Sequence, residues 1–315
     1  MPCYYPIDGW RAKIPNPDTG RYPIVFNKNA AQQDNPVTLA CGRCIGCRLE
    51  KSRQWAMRCV YESKLHEDNC FITLTYNEES VPSDGSLVLR DWQLFIKRLR
   101  KQLHPKKVRF YMCGEYGTDR DLTTTKTILG RPHYHAILFG HDFADKEVFS
   151  TNPKGDNIYI SENLTRHWGL GHCTLSEMTF DSAAYVARYC MKKITGDMAD
   201  DHYASHDPLT GELTQRKPEF NTMSRKHGIG YEWFQKYRHD LDKGFLTISG
   251  VKYPPPKYFN DLYAKEFEED YEAIKERKRV SMDPDDPENR TDRLRIREQV
   301  KLRKLKQLKR HENVN

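Results

Sequence analysis

Apolar residues recur along the first two thirds of the chain in two rhythms, one helical and one alternating. Ile45, Leu49, Ala56, Cys59, Val60 and Leu65 keep roughly helical spacing among Arg48, Lys51, Arg53, Arg58 and Lys64, which predicts a basic helix over about 46–67. The β-branched and aromatic run "CFITLTY" (70–76) predicts a short strand. "RDWQLFIKRLRKQLH" (90–104) places Trp92, Phe95, Ile96 and Leu99 on one helical face. "VRFYMCGEYG" (108–117) and "RPHYHAILFG" (131–140) read as strands, joined by a long polar hairpin connection over 118–130. A helix near 161–168, a strand near 171–178 and a helix over 181–195, capped by Asp181 or Ser182, complete this region.

The ends carry weaker patterns. Residues 1–42 ("PNPDTGRYP", "NAAQQDNP") read as ordered loop. After Gly196 only helices near 230–240 and 257–279 stand out, and "DPDDPEN" (283–289) separates off a last basic helix. No internal repeat is visible. The order β-α-β-β-α-β-α predicts an α+β fold, a central antiparallel sheet flanked by helices.

Composition changes this picture little. Hydrophobic residues at 37% allow a core but leave a polar surface, and 51 Lys+Arg against 44 Asp+Glu give a net charge of only +7. A nucleic-acid surface must therefore come from clustered charge rather than from the total. No apolar run approaches the length of a membrane span and no signal peptide opens the chain, so a cytoplasmic protein is expected. The nine cysteines point to metal binding or burial rather than to disulfides.

Chemistry concentrates first in "GRPHYHAILFG" (130–140). Residues i and i+2 of a strand share a face, so His133 and His135 project together while Tyr134 points away. Two imidazoles so placed can grip one metal ion, which also favours an oxygen ligand. Glu115 is the first candidate, because its strand pairs with the histidine strand in the hairpin; Asp119 and Asp121 are alternatives. The second concentration is "YVARYCMKK" (185–193). Tyr185 and Tyr189 lie one turn apart on a helix face, with Lys192 and Lys193 beside them. A tyrosine can attack a phosphodiester and keep the bond energy as a phosphotyrosine. Its phenol titrates near pH 10 unaided, so a metal on the phosphate and a nearby lysine are the help it needs.

Together "PCYYP", "CGRCIGCRLEKSRQWAMR" (41–58), "FITLTY" (71–76), "CGEYG" (113–117), "GRPHYHAILFG" and "YVARYCMKK" resemble the rolling-circle replication initiators of the Microviridae, small single-stranded DNA phages, and most of all the gokushovirus group. These initiators are HUH endonucleases. The resemblance spans residues 2–193. It implies an HUH endonuclease-like domain with the histidine pair on a central strand, and Mg²⁺ or Mn²⁺ at His133, His135 and a third polar ligand. It further implies Tyr185 and Tyr189 as alternating nucleophiles, a 5′-phosphotyrosine bond, a free 3′-OH and final rejoining into a circle. The expected partner is single-stranded DNA at the replication origin, with host helicase and polymerase beside it in the bacterial cytoplasm. The chain departs from the pattern in the long segment between Glu115 and His133, where Arg120, Lys126 and Arg131 suit a DNA-contacting loop.

Cys41, Cys44 and Cys47 stand at C-x2-C-x2-C spacing before the basic helix. Three thiolates are one short of a closed structural zinc site. Cys3 is the economical fourth ligand and Cys59 the alternative; a [4Fe–4S] cluster shares the spacing and ranks below zinc. Cys70, Cys113, Cys173 and Cys190 read as small buried hydrophobes. The basic helix, with Arg48 and Arg53 beside Trp55 and Tyr61, suits a DNA surface. Residues 290–311, with ten basic and two acidic residues, form a basic tail able to meet phosphates regardless of sequence.

The expected organisation is a Cys-rich loop and basic helix (1–69), a nicking core (70–196), an accessory helical region (197–282) and the basic tail (283–315). A metal-dependent DNA nickase and strand transferase is the leading reading. The alternatives are a plasmid relaxase or single-strand transposase of the same superfamily, and a non-enzymatic DNA-binding protein built on a zinc-stapled helix.

Overall fold

The computed structural model describes residues 3–120, 127–152, 155–189, 198–206, 213–283 and 286–312. The chain divides into two compact units, one of residues 1–51 with 279–315, the other of Ser52–Lys278. In the first unit, β1 (Ile7–Ala12), β2 (Ile24–Val25) and β3 (Ala31–Leu39) form a small antiparallel sheet in the order β2-β1-β3. This corrects the expectation of loop over residues 1–42. Strand β3 is mostly exposed and β1 half exposed, so neither carries a regular buried apolar alternation for the sequence to display. Pro36, which cannot donate to a ladder, sits opposite Trp10 in strand β3 at the sheet edge. The unit boundary falls inside α1 (Ile45–Ser63).

The second unit is built on β4 (Asn69–Thr75), α2 (Leu89–Leu103), β5 (Arg109–Arg120), β6 (Thr127–Phe139), β7 (Glu147–Thr151), β8 (Asn157–Ile160), α3 (Glu162–Trp168), β9 (Cys173–Glu177) and α4 (Phe180–Tyr189). After these come α5 (Met198–Tyr203), β10 (Ala204–His206), β11 (Leu213–Gln215), β12 (Phe220–Met223), α6 (Tyr231–Tyr237), β13 (Leu246–Ile248), β14 (Val251–Tyr253), α7 (Lys257–Glu266) and α8 (Glu268–Val280). The first unit regains the chain with α9 (Thr291–Glu312). The region after Gly196, expected to be helical, thus also contributes strands. One of them, β12, pairs with β5 at the edge of the main sheet. It is four residues long and half-buried, too short to show a period.

Among the described residues the main sheet has seven strands in the order β12-β5-β6-β4-β9-β8-β7, and every pairing is antiparallel. The fold is α+β. Strand alternation gives the sheet two buried faces. On one, Ile72, Leu74, Met112, Tyr134, Ala136 and Leu138 meet Trp92, Phe95 and Leu99 of α2 and Trp168 of α3. On the other, Tyr111, Cys113, Ile137 and Phe139 meet Ala56 and Cys59 of α1 and Ala183, Val186 and Ala187 of α4. Gly171, at φ +148°, lets the chain entering β9 approach β4: a Cβ there would lie 2.3 Å from the Asn77 nitrogen.

Helix α1 faces inward more than its composition suggests. Tyr61 packs on Trp233 and Phe259 in a further core formed with α6, β13 and α7. Trp55 stacks on Tyr111 at 5.0 Å, and Arg58 lies between the rings of Trp55 and Tyr258 while donating to the Ile229 carbonyl. Glu62, almost fully buried, accepts from Arg109 and from the Gly230 amide at 2.6 Å, with His66 3.6 Å away. These aromatic side chains, expected on a DNA surface, instead tie α1 to the sheet and to the later helices.

A candidate metal and tyrosine site on the sheet

The register of the hairpin brings Glu115 opposite His133 and Cys113 opposite His135. On the other side of β6, Thr75 lies opposite His133 and Thr73 opposite His135. Glu115, His133 and His135 therefore share one face of two adjacent strands, and their ligand atoms lie within 4.8 Å of one another. Oε1 of Glu115 lies 2.8 Å from Nε2 of His133 and 3.1 Å from Nε2 of His135. The carboxylate and His135 are buried; His133 is partly open. Burial would raise the Glu115 pKa, but its contacts with His133 and His135 outweigh this and hold the carboxyl at about 2.

The outward nitrogens are tied as well. Nδ1 of His133 lies 3.1 Å from the Arg131 carbonyl, an oxygen that can only accept, so Nδ1 carries the proton. In the neutral ring Nε2 then offers a lone pair to a carboxylate oxygen, an acceptor facing an acceptor that a proton or a metal ion must bridge. Nδ1 of His135 is held by the Thr73 hydroxyl at 2.9 Å. Two nitrogens and one carboxylate oxygen, with the imidazoles oriented from behind, form a donor set that fits a divalent ion. Sequence reasoning missed Thr73; its place opposite a histidine is visible only once the β4–β6 register is known.

Tyr134 secures the strand from the opposite face. Its hydroxyl meets Tyr76 at 2.8 Å and both the amide and carbonyl of Val88, while Tyr76 donates to Asp91 at 2.6 Å. Burial pushes the Tyr134 phenol up to about 12, so it stays a neutral hydrogen-bonding group. The His-Tyr-His alternation thus places two metal-ligand candidates on one face and a structural anchor on the other.

Helix α4 crosses the histidine face. Its N-terminus is capped by Thr179, not by Asp181 or Ser182: the Thr179 hydroxyl accepts from the Ser182 amide at 3.1 Å, and the Ser182 hydroxyl accepts from the Thr179 amide at 2.8 Å. With Ala183, Val186 and Ala187 turned into the core, Tyr185 falls against the site. Its ring stands edge-on to His135, centroids 5.2 Å apart, and edge-on to Phe71 at 6.1 Å. The side chain of Tyr189, and Lys192 and Lys193 entirely, lie outside the described residues, as does Asp121. Nothing is described of the Asp119 side chain.

Of the arginines expected to meet DNA, Arg131 donates to the Tyr76 carbonyl at 2.8 Å and pairs with the exposed Glu78. Arg53 donates to the Pro254 carbonyl at 2.9 Å and contacts the Met57 sulfur. Arg48 is half-buried in the first turn of α1. A second cluster lies in the first unit: the sulfurs of Cys3, Cys41, Cys44 and Cys47 all lie within 4.8 Å of one another. Burial opposes ionisation of Cys41, but the backbone amides of Cys44 and Arg43 outweigh it and lower that thiol to about 7. Cys59, Cys70, Cys113 and Cys173 are buried in the second unit, and Cys190 lies outside the described residues. Among the described residues no helix is long and apolar enough to cross a membrane.

Comparison with known proteins adds an independent observation. Residues 69–194 match the family model for replication-associated protein ORF2/G2P. The chain is 33% identical over 251 residues to replication-associated protein VP4 of Bdellovibrio phage phiMH2K, which covers 77% of this chain and 72% of the relative. It is 31% identical over 278 residues to replication-associated protein ORF2 of Spiroplasma virus 4, covering 84% and 78%. With replication-associated protein ORF4 of Chlamydia phage 1 it shares 30% over 241 residues, covering 74% and 55%. No solved structure matches the chain.

Proposed function

The chain belongs to the family of phage replication-associated proteins, and from that premise we propose that it is an HUH-type nickase that opens and rejoins single-stranded phage DNA at the replication origin. The observation that carries this reading is the convergence of Glu115, His133 and His135 on one point with Tyr185 edge-on to His135.

In this reading Glu115 Oε1 and the two Nε2 atoms would hold Mg²⁺ or Mn²⁺. The bound ion supplies charge neutralisation on the phosphate oxygens. Thr73 and the Arg131 carbonyl keep both imidazoles turned inward. The Tyr185 oxygen forms a bond to phosphorus, the bond from phosphorus to the 3′ oxygen breaks, and that oxygen leaves as a 3′-OH for a polymerase to extend. The 5′ end stays on the protein as a phosphotyrosine, which conserves the bond for rejoining. Tyr189, one turn on, takes the second transfer, with Lys192 and Lys193 countering charge on the phosphate.

The test is incubation of purified protein with Mn²⁺ and labelled single-stranded fragments of its own replicon, resolved on a denaturing gel. A covalent adduct that needs the metal and is lost in the Tyr185→Phe, Tyr189→Phe double variant is expected. DNA binding with no adduct from any fragment would overturn the nickase and favour a non-enzymatic binder.

A further inference from the structure

The nicking site leaves the first unit without a role, and that unit is unusual in what holds it together. Its buried apolar side chains, among the described residues, are Cys3, Tyr4, Ala12, Ala31, Cys44 and Leu294. Two of these six are cysteines of the four-sulfur cluster. Larger apolar side chains of the same unit stay outside: Ile14 is 78% exposed and Phe26 61%. The hydrophobic cluster around Tyr4 consists of Cys3, Cys44, Cys41, Cys47 and Ile45, so the cysteines are the core rather than guests in one. A unit with so little buried apolar surface needs another staple.

The sulfurs are arranged for an ion rather than for a bridge between two of them. Cys41 and Cys47 have their sulfurs 3.9 Å apart. A disulfide needs about 2.05 Å, whereas a tetrahedron of sulfurs about 2.3 Å from zinc has edges near 3.8 Å. Backbone amides already point at the sulfurs: Cys41 N donates to Cys3 Sγ at 3.2 Å, Cys44 N to Cys41 Sγ at 3.3 Å, and Tyr4 N to Cys44 Sγ at 3.4 Å. Amides so aimed favour thiolate ligands. They also join the start of the chain to the entrance of α1. The residues next to Cys3 reach further: Glu298 of α9 lies within electrostatic reach of the Tyr5 hydroxyl, and Arg297 within that of Tyr4.

We propose that Cys3, Cys41, Cys44 and Cys47 bind one zinc ion, and that this ion folds the unit formed by the N-terminal segment and α9. Four thiols give up their protons to solvent as the four Zn–S bonds form, with no change of oxidation state. The strand β1, the entrance of α1 and the basic helix α9 then depend on the metal, while the main sheet does not. Only the cysteine cluster carries the proposal, so it stands or falls separately from the nickase reading.

The full-length protein tests it without DNA. Elemental analysis after desalting should find one zinc per chain, retained in a His133→Ala, His135→Ala variant and lost in Cys44→Ser, Cys47→Ser. Should the cysteine variant be insoluble, titration of wild-type protein with an organomercurial should release the zinc as four thiols react. Co²⁺ in its place should show thiolate-to-cobalt charge transfer and tetrahedral d–d bands. Chelation of wild-type protein should increase amide exchange in Ile7–Ala12 and Thr291–Glu312 and leave Asn69–Thr75 protected. Wild-type protein lacking zinc, zinc lost with the histidines instead, iron and sulfide in place of zinc, or exchange unchanged on chelation would each overturn the proposal.

Discussion

The ring of Tyr185 stands edge-on to the ring of His135, 5.2 Å between centroids and 85° between planes. A phenylalanine can make the same contact, because the interaction uses the ring and not the hydroxyl. Tyr185→Phe is therefore expected to keep Mn²⁺ affinity and to change stability by about 1 kcal/mol or less, while abolishing the adduct at this position. Peptide mapping of the residual adduct should then find only Tyr189. An adduct still mapping to residue 185 is chemically impossible, but unchanged total nicking with no adduct at Tyr189 would remove both tyrosines from the mechanism.

Thr73 touches no substrate in this reading and acts through His135, whose Nδ1 it holds at 2.9 Å. Removing the partner behind a metal-ligating imidazole typically lowers metal affinity about 10–100-fold. Thr73→Val, nearly the same shape, should weaken Mn²⁺ binding by that factor with a smaller effect on DNA binding in chelator. Thr73→Ser should restore it. Equal Mn²⁺ affinity in all three proteins, measured by titration calorimetry, would mean that the hydroxyl only fills space.

The parts of this site that were legible in advance are those encoded within one element. The alternation His133, Tyr134, His135 declares its own faces, and Tyr185 belongs to a short helix whose period shows in "SAAYVARY". Glu115 was reachable because a hairpin makes one long-range pairing cheap to guess. Thr73 and the Arg131 carbonyl were not: each depends on the ladder between β4 and β6 or on a backbone atom, neither of which leaves a side-chain signature. Strands β1 and β3 escaped for a related reason. Strand β3 is mostly exposed and β1 half exposed, so backbone pairing more than apolar burial defines them. The inward aromatics of α1 misled in the opposite direction, since basic residues near Trp55 and Tyr61 look alike whether they meet DNA or cage an arginine.

Acid should weaken the fold through Glu62. Burial opposes its ionisation, but the neighbouring His66 imidazole, the Gly230 amide and Arg109 hold its pKa below the ordinary value. A carboxyl depressed in the folded state adds stability that is complete above the unfolded pKa, about 4.3, and is lost as pH falls through the folded one. Glu62→Ala, which strands the Arg109 guanidinium, should cost about 3–5 kcal/mol at pH 7. In urea melts the gap between wild type and variant should stay constant from pH 7 to 5 and narrow below pH 4. A gap that widens on acidification would reverse the assigned sign.

Arg131 lies two residues before His133 in β6, close in sequence to the candidate metal site. One arm is fixed by the Tyr76 carbonyl; the other pairs with Glu78, which is 83% exposed. An ion pair so open to water contributes little and exchanges readily. A DNA phosphate is expected to displace the carboxylate. Glu78→Gln should then tighten single-stranded DNA binding, since it removes both a competitor and a negative charge. Arg131→Ala should weaken binding and reduce the slope of log Kd against log salt by about 0.7, the value for one phosphate contact on a single strand. Binding measured by fluorescence anisotropy in chelator, across a salt series, separates this from any effect through the metal. If Arg131→Ala leaves the slope unchanged and Glu78→Gln has no effect, the arginine serves only to hold β6 against Tyr76.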